Sequence, residues 1–462
     1  MKILPSPTRR SILMRIWRSI RREPLWPSDE RGRIRLALND LLLHLHPPRV
    51  PVTALRFTYT YGLGGLAVLL IVVQVLTGVL LTFAYVPSPE EAYQSLVALQ
   101  TEVWFGQVVR NLHHWSGNLL LVVVGLHLLR VFYTSAFHTP REFNWELGLS
   151  LLALVAVSNF TGYLLPWDQL SYWAVTVGTS LLGYIPLIGE SIKYLLLGGP
   201  EVGAATLSNF YSLHVLVIPL LMFVIVSFHI WRVRKDRFSL PRRLDEGTSQ
   251  PVKMVTTIPH LVSIELLFAL VMLAFLLVWS AWVDAPLLQA ANPGHPPNPA
   301  KAAWYFMGIQ ELLLHFHPTF GAVIIPALLV GGLIALPYLP IDGDYTGIWF
   351  GSRRGRRLVA LSLALGVSTT VALVLLDEFW LDLSTLLPTL PTTVSNGLLP
   401  LVILVFAVAV YGRLLRVYGA TRSEMRMAIF TLLLAALLTL TVVGIFFRGE
   451  GMALVLPWEV MR

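Results

Sequence analysis

Nine stretches of apolar residues alternate with short polar segments along the chain, near 62–85, 107–133, 146–166, 208–231, 259–283, 319–340, 357–376, 397–417 and 427–447. A helix needs roughly 20 apolar residues to cross about 30 Å of hydrocarbon. The pattern therefore predicts an all-α polytopic membrane protein, a four-helix bundle followed by about five further transmembrane helices. Ahead of the first span, RGRIRLALNDLLLHLH at 31–46 alternates charge with leucine at helical spacing. That predicts a helix lying on the membrane surface, with His44 and His46 as interface residues. A polar stretch near 238–258 interrupts the series. The expected organisation is an arm and surface helix over 1–58, a four-helix unit over 59–237, a polar linker over 238–258, a second transmembrane unit over 259–350 and additional helices over 351–462.

The second and fourth spans carry histidines where hydrocarbon is expected. His113 and His127 lie 14 positions apart in RNLHHWSGNLLLVVVGLHLLR. At ~100° per residue they return to nearly one helix face, roughly 21 Å apart along the axis. FYSLHVLVIPLLMFVIVSFHIWR repeats the arrangement with His214 and His229, 15 apart. Any one of these is readily explained as a satisfied polar residue in a bundle, but four at matched depths are costly in a membrane and point to function. Imidazoles are axial ligands of iron porphyrins, so two helices with two histidines each can clamp two macrocycles, one above the other. His114 falls roughly 140° off that face and stays outside the set. Gly64 and Gly78 in the first span, and Gly148 and Gly162 in the third, repeat the 14-residue interval. Glycine lets a flat ring approach the backbone, although small-residue helix packing would account for any one of the four.

Only 13% of the 462 residues are charged while 55% are hydrophobic, which excludes an ordinary soluble domain. The net charge of +8 would suit nucleic acid in a soluble protein, but here its placement follows the spans. With the N-terminal arm taken as cytoplasmic, only Arg110, Lys193, Lys301, Arg448 and Arg462 of the 34 lysines and arginines fall outside, as the positive-inside rule requires. This sorting places His113 and His214 near the outer face and His127 and His229 nearer the cytoplasm, in a multi-pass protein of the cell's inner (plasma) membrane. MKILPSPTRRSILMRIWRSIRREP lacks the apolar core of a signal peptide and reads as a cytoplasmic arm. Cysteine is absent, so the chain ligates no iron–sulfur cluster through thiolates and attaches no haem through CxxCH.

RNLHHWS with GLHLLR, TGYLLPWDQLSYWAV at 161–175 and FYSLHVLVIPLL together resemble the cytochrome b subunit of quinol:cytochrome c oxidoreductases, the cytochrome bc and b–f complexes. The likeness covers roughly 55–350, and its first half is closest to the b–f type, whose fourth helix has the 15-residue histidine interval. The resemblance implies two non-covalent haem b groups within 59–237. His113 and His214 would ligate a low-potential haem near the outer face, and His127 and His229 a high-potential haem near the cytoplasm. Gly64, Gly78, Gly148, Gly162, Arg110, Arg130 and Arg234 would be further cofactor contacts. An outer quinol-oxidation site is expected at Tyr163, the 166–182 segment, Trp304 and Tyr305, and an inner quinone-reduction site at Arg234, Lys235 and His260. Electrons would pass between the two sites while protons leave outside and enter inside. Implied partners are a Rieske-type iron–sulfur protein, a c-type cytochrome, quinone and membrane lipid, in a homodimeric complex that binds no nucleic acid.

The departures from that family are specific. Gly62 stands where b–f proteins carry a cysteine that anchors an extra covalent haem, so that haem is expected to be absent. The chain is continuous where the b–f type is split, and its spans at about 397–447 have no b–f counterpart. The Pro-Glu-Trp-Tyr motif of the quinol-oxidation site reads Ala302-Ala303-Trp304-Tyr305. Alanine accepts no proton, and quinol oxidation releases two. Glu311 is the nearest carboxylate in the segment: either it replaces the missing acceptor, or it is a helix-end carboxylate paired with a neighbour. His295, His315 and His317 are rival titrating groups. Trp304 and Tyr305 equally suit an interfacial aromatic belt, Arg234 and Lys235 the positive-inside pattern, and Asp168 a helix cap beside Pro166. Two other classes remain: a haem-b membrane anchor of another quinone-linked oxidoreductase with one working quinone site, and a secondary transporter. The latter would need inverted repeats with broken helices, which the sequence lacks.

Overall fold

A computed structural model describes residues 27–39, 46–242, 253–381 and 383–460. The expected basic arm, His44 and the middle of the polar linker lie outside these residues. The surface helix begins as α1 (Glu30–Asn39). Then follow α2 (Leu63–Thr82), α3 (Gly106–Tyr133), α4 (Glu142–Leu164), the short α5 (Gln169–Ser180), α6 (Ala204–Asp236) and α7 (Thr257–Trp282). Further along come the short α8 (Met307–His315), α9 (Thr319–Tyr338), α10 (Arg353–Phe379), α11 (Val394–Val417) and α12 (Arg422–Phe446), with shorter helices between the spans. Among the described residues nine of these are long and apolar enough to cross a membrane. Each expected span has its helix, with ends displaced by up to about a turn. The described residues are mostly helical as expected, and a two-stranded ladder pairs Arg49–Pro51 with Met254–Thr256 across the linker.

Among the described residues three spans contain a π-helical turn: Leu213–Val217 within α6, and Thr319–Ile324 and Val394–Leu398 at the starts of α9 and α11. Each turn runs into a proline, Pro219, Pro326 or Pro400, in the first positions of the α-helix that follows. Proline has no N–H and its ring crowds the preceding turn, so a wider turn carries the helix past it. In α6 this has a direct consequence. The π turn takes up one extra residue, so the 15-residue interval from His214 to His229 matches the 14-residue interval in α3.

The haem-ligand candidates lie on two packed helix pairs, α2 with α3 and α4 with α6, and α7 closes the side of α2 and α3. Leu70, Leu120, Val155 and Met222 are buried in one cluster, and each falls at or next to the midpoint of a glycine or histidine interval. An apolar plug therefore separates the two histidine levels. In the second half α12 is the hub, packed on α8, α10 and α11. The halves are joined where Trp145 Nε1 donates to Leu333 O at 2.9 Å and where the Tyr133 and Thr431 hydroxyls meet at 2.8 Å.

Candidate functional site

The structure brings the four histidines together as two crossed pairs. His113 of α3 faces His214 of α6 with ring centres 6.1 Å apart and planes at 79°; His127 faces His229 at 6.5 Å and 78°. Metal–imidazole bonds of about 2 Å place the ring centres of two trans ligands roughly 6 Å apart. Both pairs meet that spacing. No group of three or more His, Asp or Glu side chains that could hold a metal gathers among the described residues. Facing imidazole pairs with no further ligand side chains nearby would suit a macrocycle that brings its own four nitrogens.

The His113/His214 pair is oriented from behind. Thr77 gives its hydroxyl proton to Val73 O at 2.7 Å, which leaves its oxygen to accept from His113 Nδ1 at 2.8 Å. His214 Nδ1 donates to Ser158 O at 2.9 Å, with Thr161 Oγ1 3.4 Å away. A proton fixed on Nδ1 leaves Nε2 with a free lone pair, the state a metal ligand needs. His229 Nδ1 points at the backbone of Asn144 without reaching hydrogen-bond geometry. The glycines complete the cradle. A Cβ on Gly64 would lie 3.4 Å from His127, on Gly78 3.3 Å from His113, on Gly148 3.7 Å from His229 and on Gly162 2.5 Å from His214. The 14-residue glycine interval thus places one glycine against each histidine.

Sequence reasoning missed the threonines, although a signal was present. Thr77-Gly78 and Thr161-Gly162 are the same dipeptide in corresponding positions of α2 and α4, and in both the threonine hydroxyl approaches Nδ1 of the histidine that its glycine contacts.

Arg110 and Arg130 are spent chiefly on backbone. Arg110, buried near the His113 level, donates to Ala285 O at 2.8 Å and Pro286 O at 2.6 Å. Arg130, one turn beyond His127, donates to Tyr59 O at 3.0 Å and stacks over the Tyr59 ring. Arg234 is half-buried near the end of α6, Lys235 lies over the Trp231 ring, and His260 Nδ1 donates to Thr256 O at 3.0 Å. Also at this end His46 approaches Glu265 at 3.1 Å, and Phe268, one turn further along α7, stacks on Phe57 at 4.3 Å.

At the His113 level, Trp304 Nε1 donates to Asn118 Oδ1 at 2.6 Å, and the Phe306 ring is 5.6 Å from Phe160. Tyr305 lies within electrostatic reach of Tyr163. Its hydroxyl is buried without a hydrogen-bond partner, and burial followed by the nearby Tyr163 raises the phenol above its ordinary value. Tyr305 is therefore a neutral donor lacking an acceptor, within electrostatic reach of Tyr163. Asp168 caps α5, accepting from Ser171 N at 2.9 Å and from Leu288 N at 3.0 Å. Glu311 is placed apart from this group. It shares the α8 face of Met307 and Gly308 that packs on α12, and it is paired with Arg448.

The cytochrome b/b6/petB family model matches residues 51–237. Cytochrome b6 of Heliobacterium modesticaldum is 44% identical over 216 residues, covering 47% of this chain and 99% of the relative. The menaquinol:cytochrome c reductase cytochrome b subunit of Bacillus subtilis is 41% identical over 214 residues, covering 46% of this chain and 96% of the relative. The family model's match ends at residue 237, just before the linker. A chain of a hyperthermophilic respiratory Complex III aligns with TM-score 0.63 at 24% identity, covering 89% of this chain and 97% of that chain, so the likeness of fold extends past α7.

Proposed function

The chain belongs to the cytochrome b/b6 family, and from that premise we propose that it is the dihaem subunit of a proton-translocating quinol:cytochrome c (or equivalent acceptor) oxidoreductase. In this reading it links an outer quinol-oxidation site to an inner quinone-reduction site across the cell's inner membrane, with its N-terminus in the cytoplasm. The observation that carries it is the pair of crossed imidazole pairs, each backed by two glycines and separated by an apolar plug. His113 with His214, and His127 with His229, would each hold one non-covalent haem b. Bound haem supplies one-electron exchange.

The chain's own residues supply position and environment. Thr77 and Ser158 fix the tautomers of His113 and His214, and Leu70, Leu120, Val155 and Met222 exclude water from between the levels. Tyr305, with its unpartnered hydroxyl, is the group here best suited to donate to a quinone oxygen, with Tyr163 and Trp304 as walls. Arg234, Lys235 and His260 would serve the inner site, where Lys235 lies over the Trp231 ring and His260 donates to Thr256 O. Electrons need an iron–sulfur protein of Rieske type and a c-type cytochrome on other chains, because this chain contains no cysteine. A homodimeric complex is part of the same reading.

Ala303 is the observation that favours the single-site alternative, since its methyl group takes up no proton. Turnover of the purified intact complex separates the two. We expect reduction of cytochrome c by a menaquinol or ubiquinol analogue, together with quinol-dependent reduction of both haems. Quinol-dependent reduction of one haem only, with no cytochrome c reduced from either quinol, would establish the single-site anchor instead.

A further inference from the structure

At the His113 end, α8, α10 and the turn after α12 meet in a buried ion cluster that the redox reading does not use. Glu311 is fully buried and accepts from Arg448 Nη2 at 2.6 Å and from Nε at 3.0 Å. Arg448, 1% exposed, gives its remaining terminal nitrogen to Glu378 at 2.8 Å and to Met452 O at 2.9 Å. On the other side of Glu311, His315 Nε2 lies 3.3 Å from its carboxylate while Nδ1 lies 2.6 Å from Asp377. Both ring nitrogens face carboxylates, so both donate and the ring is an imidazolium. Lys301 is within electrostatic reach of Glu311. Three carboxylates thus face Arg448, Lys301 and His315, and their charges cancel only when His315 is protonated.

These groups are poorly suited to carrying protons. Burial would raise the Glu311 carboxyl, but hydrogen bonds from His315 and Arg448 outweigh it and hold the group below its ordinary value. Burial would lower His315, but hydrogen bonds to Asp377 and Glu311 raise it to about 9. At neutral pH the carboxylate stays ionised and the imidazole stays protonated. Fixed charges of this kind hold elements together.

What they hold is α8. One face of this nine-residue helix is pressed on α12: a Cβ on Gly308 would meet Thr441 Oγ1 at 2.6 Å, and one on Gly444 would meet Met307 Cε at 2.9 Å. The residues leading into α8 turn the other way, Trp304 to Asn118, Tyr305 to Tyr163 and Phe306 to Phe160. Gln310 ties the two parts, accepting from Ala302 N at 2.6 Å and donating to Ala300 O at 2.7 Å. A rigid connection therefore runs from Arg448 through Glu311 to Trp304 and Tyr305. We propose that Arg448 is a positioning residue for the quinone site at Tyr305, and that anchoring α8 through Glu311 is what the helices beyond α9 contribute to the reaction.

This rests on the reading of Tyr305 as part of a quinol site, and the test keeps the two apart. In the intact complex Arg448→Met should raise KM for a quinol analogue or lower its turnover about ten- to a hundredfold, because small misplacements cost that much. Haem content and both haem midpoints should stay native. Glu311→Met/Arg448→Met, which replaces the pair by apolar side chains, should recover to within about threefold of native, with an unchanged pH profile between pH 6 and 9. If Arg448→Met does not assemble, the double variant carries the test together with Arg448→Lys, which should be intermediate. Native KM and turnover in Arg448→Met would overturn the proposal. So would a double variant that assembles and stays as impaired as the single one, or that loses a limb of its pH profile, since the charge itself would then be needed. A native complex that oxidises no quinol would instead remove the Tyr305 reading, and this proposal with it.

Discussion

Replacing His214 by alanine should strip one haem from the protein and leave the other, and His113→Ala should produce the same spectrum. The two imidazoles face each other across 6.1 Å, so neither alone can hold a bis-ligated iron. His127→Ala and His229→Ala should each remove the second component, because those rings form a separate pair at 6.5 Å. Buried Leu120 and Met222 divide the levels, so loss of one haem should leave the other's ligation intact. Redox titration of the four variants should therefore sort them into two classes of two, with quinol oxidation falling to background in the His113 and His214 class. A sorting by helix, with His113→Ala and His127→Ala alike, would refute the crossed pairing.

The second large effect comes from a single methyl group. A Cβ on Gly162 would lie 2.5 Å from Cε1 of His214 and 3.0 Å from both ring nitrogens, and that ring is held by its bond to Ser158 O. Overpacking of this kind typically costs about 1–3 kcal/mol, up to roughly a hundredfold in occupancy when it falls on a ligand. Gly162→Ala should therefore deplete the His113/His214 haem. Gly148→Ala is the control, because its Cβ would meet His229 at an ordinary 3.7 Å and should leave both haems bound. Difference spectra of the membranes suffice for the comparison. Equal haem retention in the two variants would show that His214 can move aside.

The spans, the histidine pairs and the glycines opposite them were legible because each depends on periodicity within one helix. The 15-residue interval was legible as a number but not as a shape. Its explanation, a π turn before Pro219, depends on backbone geometry that spacing alone does not reveal. Asp168 could be read either as a cap or as a redox group, and the structure shows the cap. Glu311 was open between proton acceptor and ion-paired carboxylate, and its fork with Arg448 favours the second. That fork was beyond reach of the sequence, since Glu311, Glu378 and Arg448 come from three distant segments and no local pattern links them. Thr77 and Thr161 differ in kind: their repeated Thr-Gly dipeptide was visible, but its meaning depended on seeing which way each hydroxyl points.

Acid-acetone extraction of the purified chain, with pigment quantified as pyridine haemochrome in the extract and in the residue, tests the central claim most directly. Two haems per chain, both released, is the predicted result, since two imidazole pairs supply axial bonds and the chain has no cysteine for a thioether. One haem per chain, or pigment that stays on the polypeptide, would contradict it.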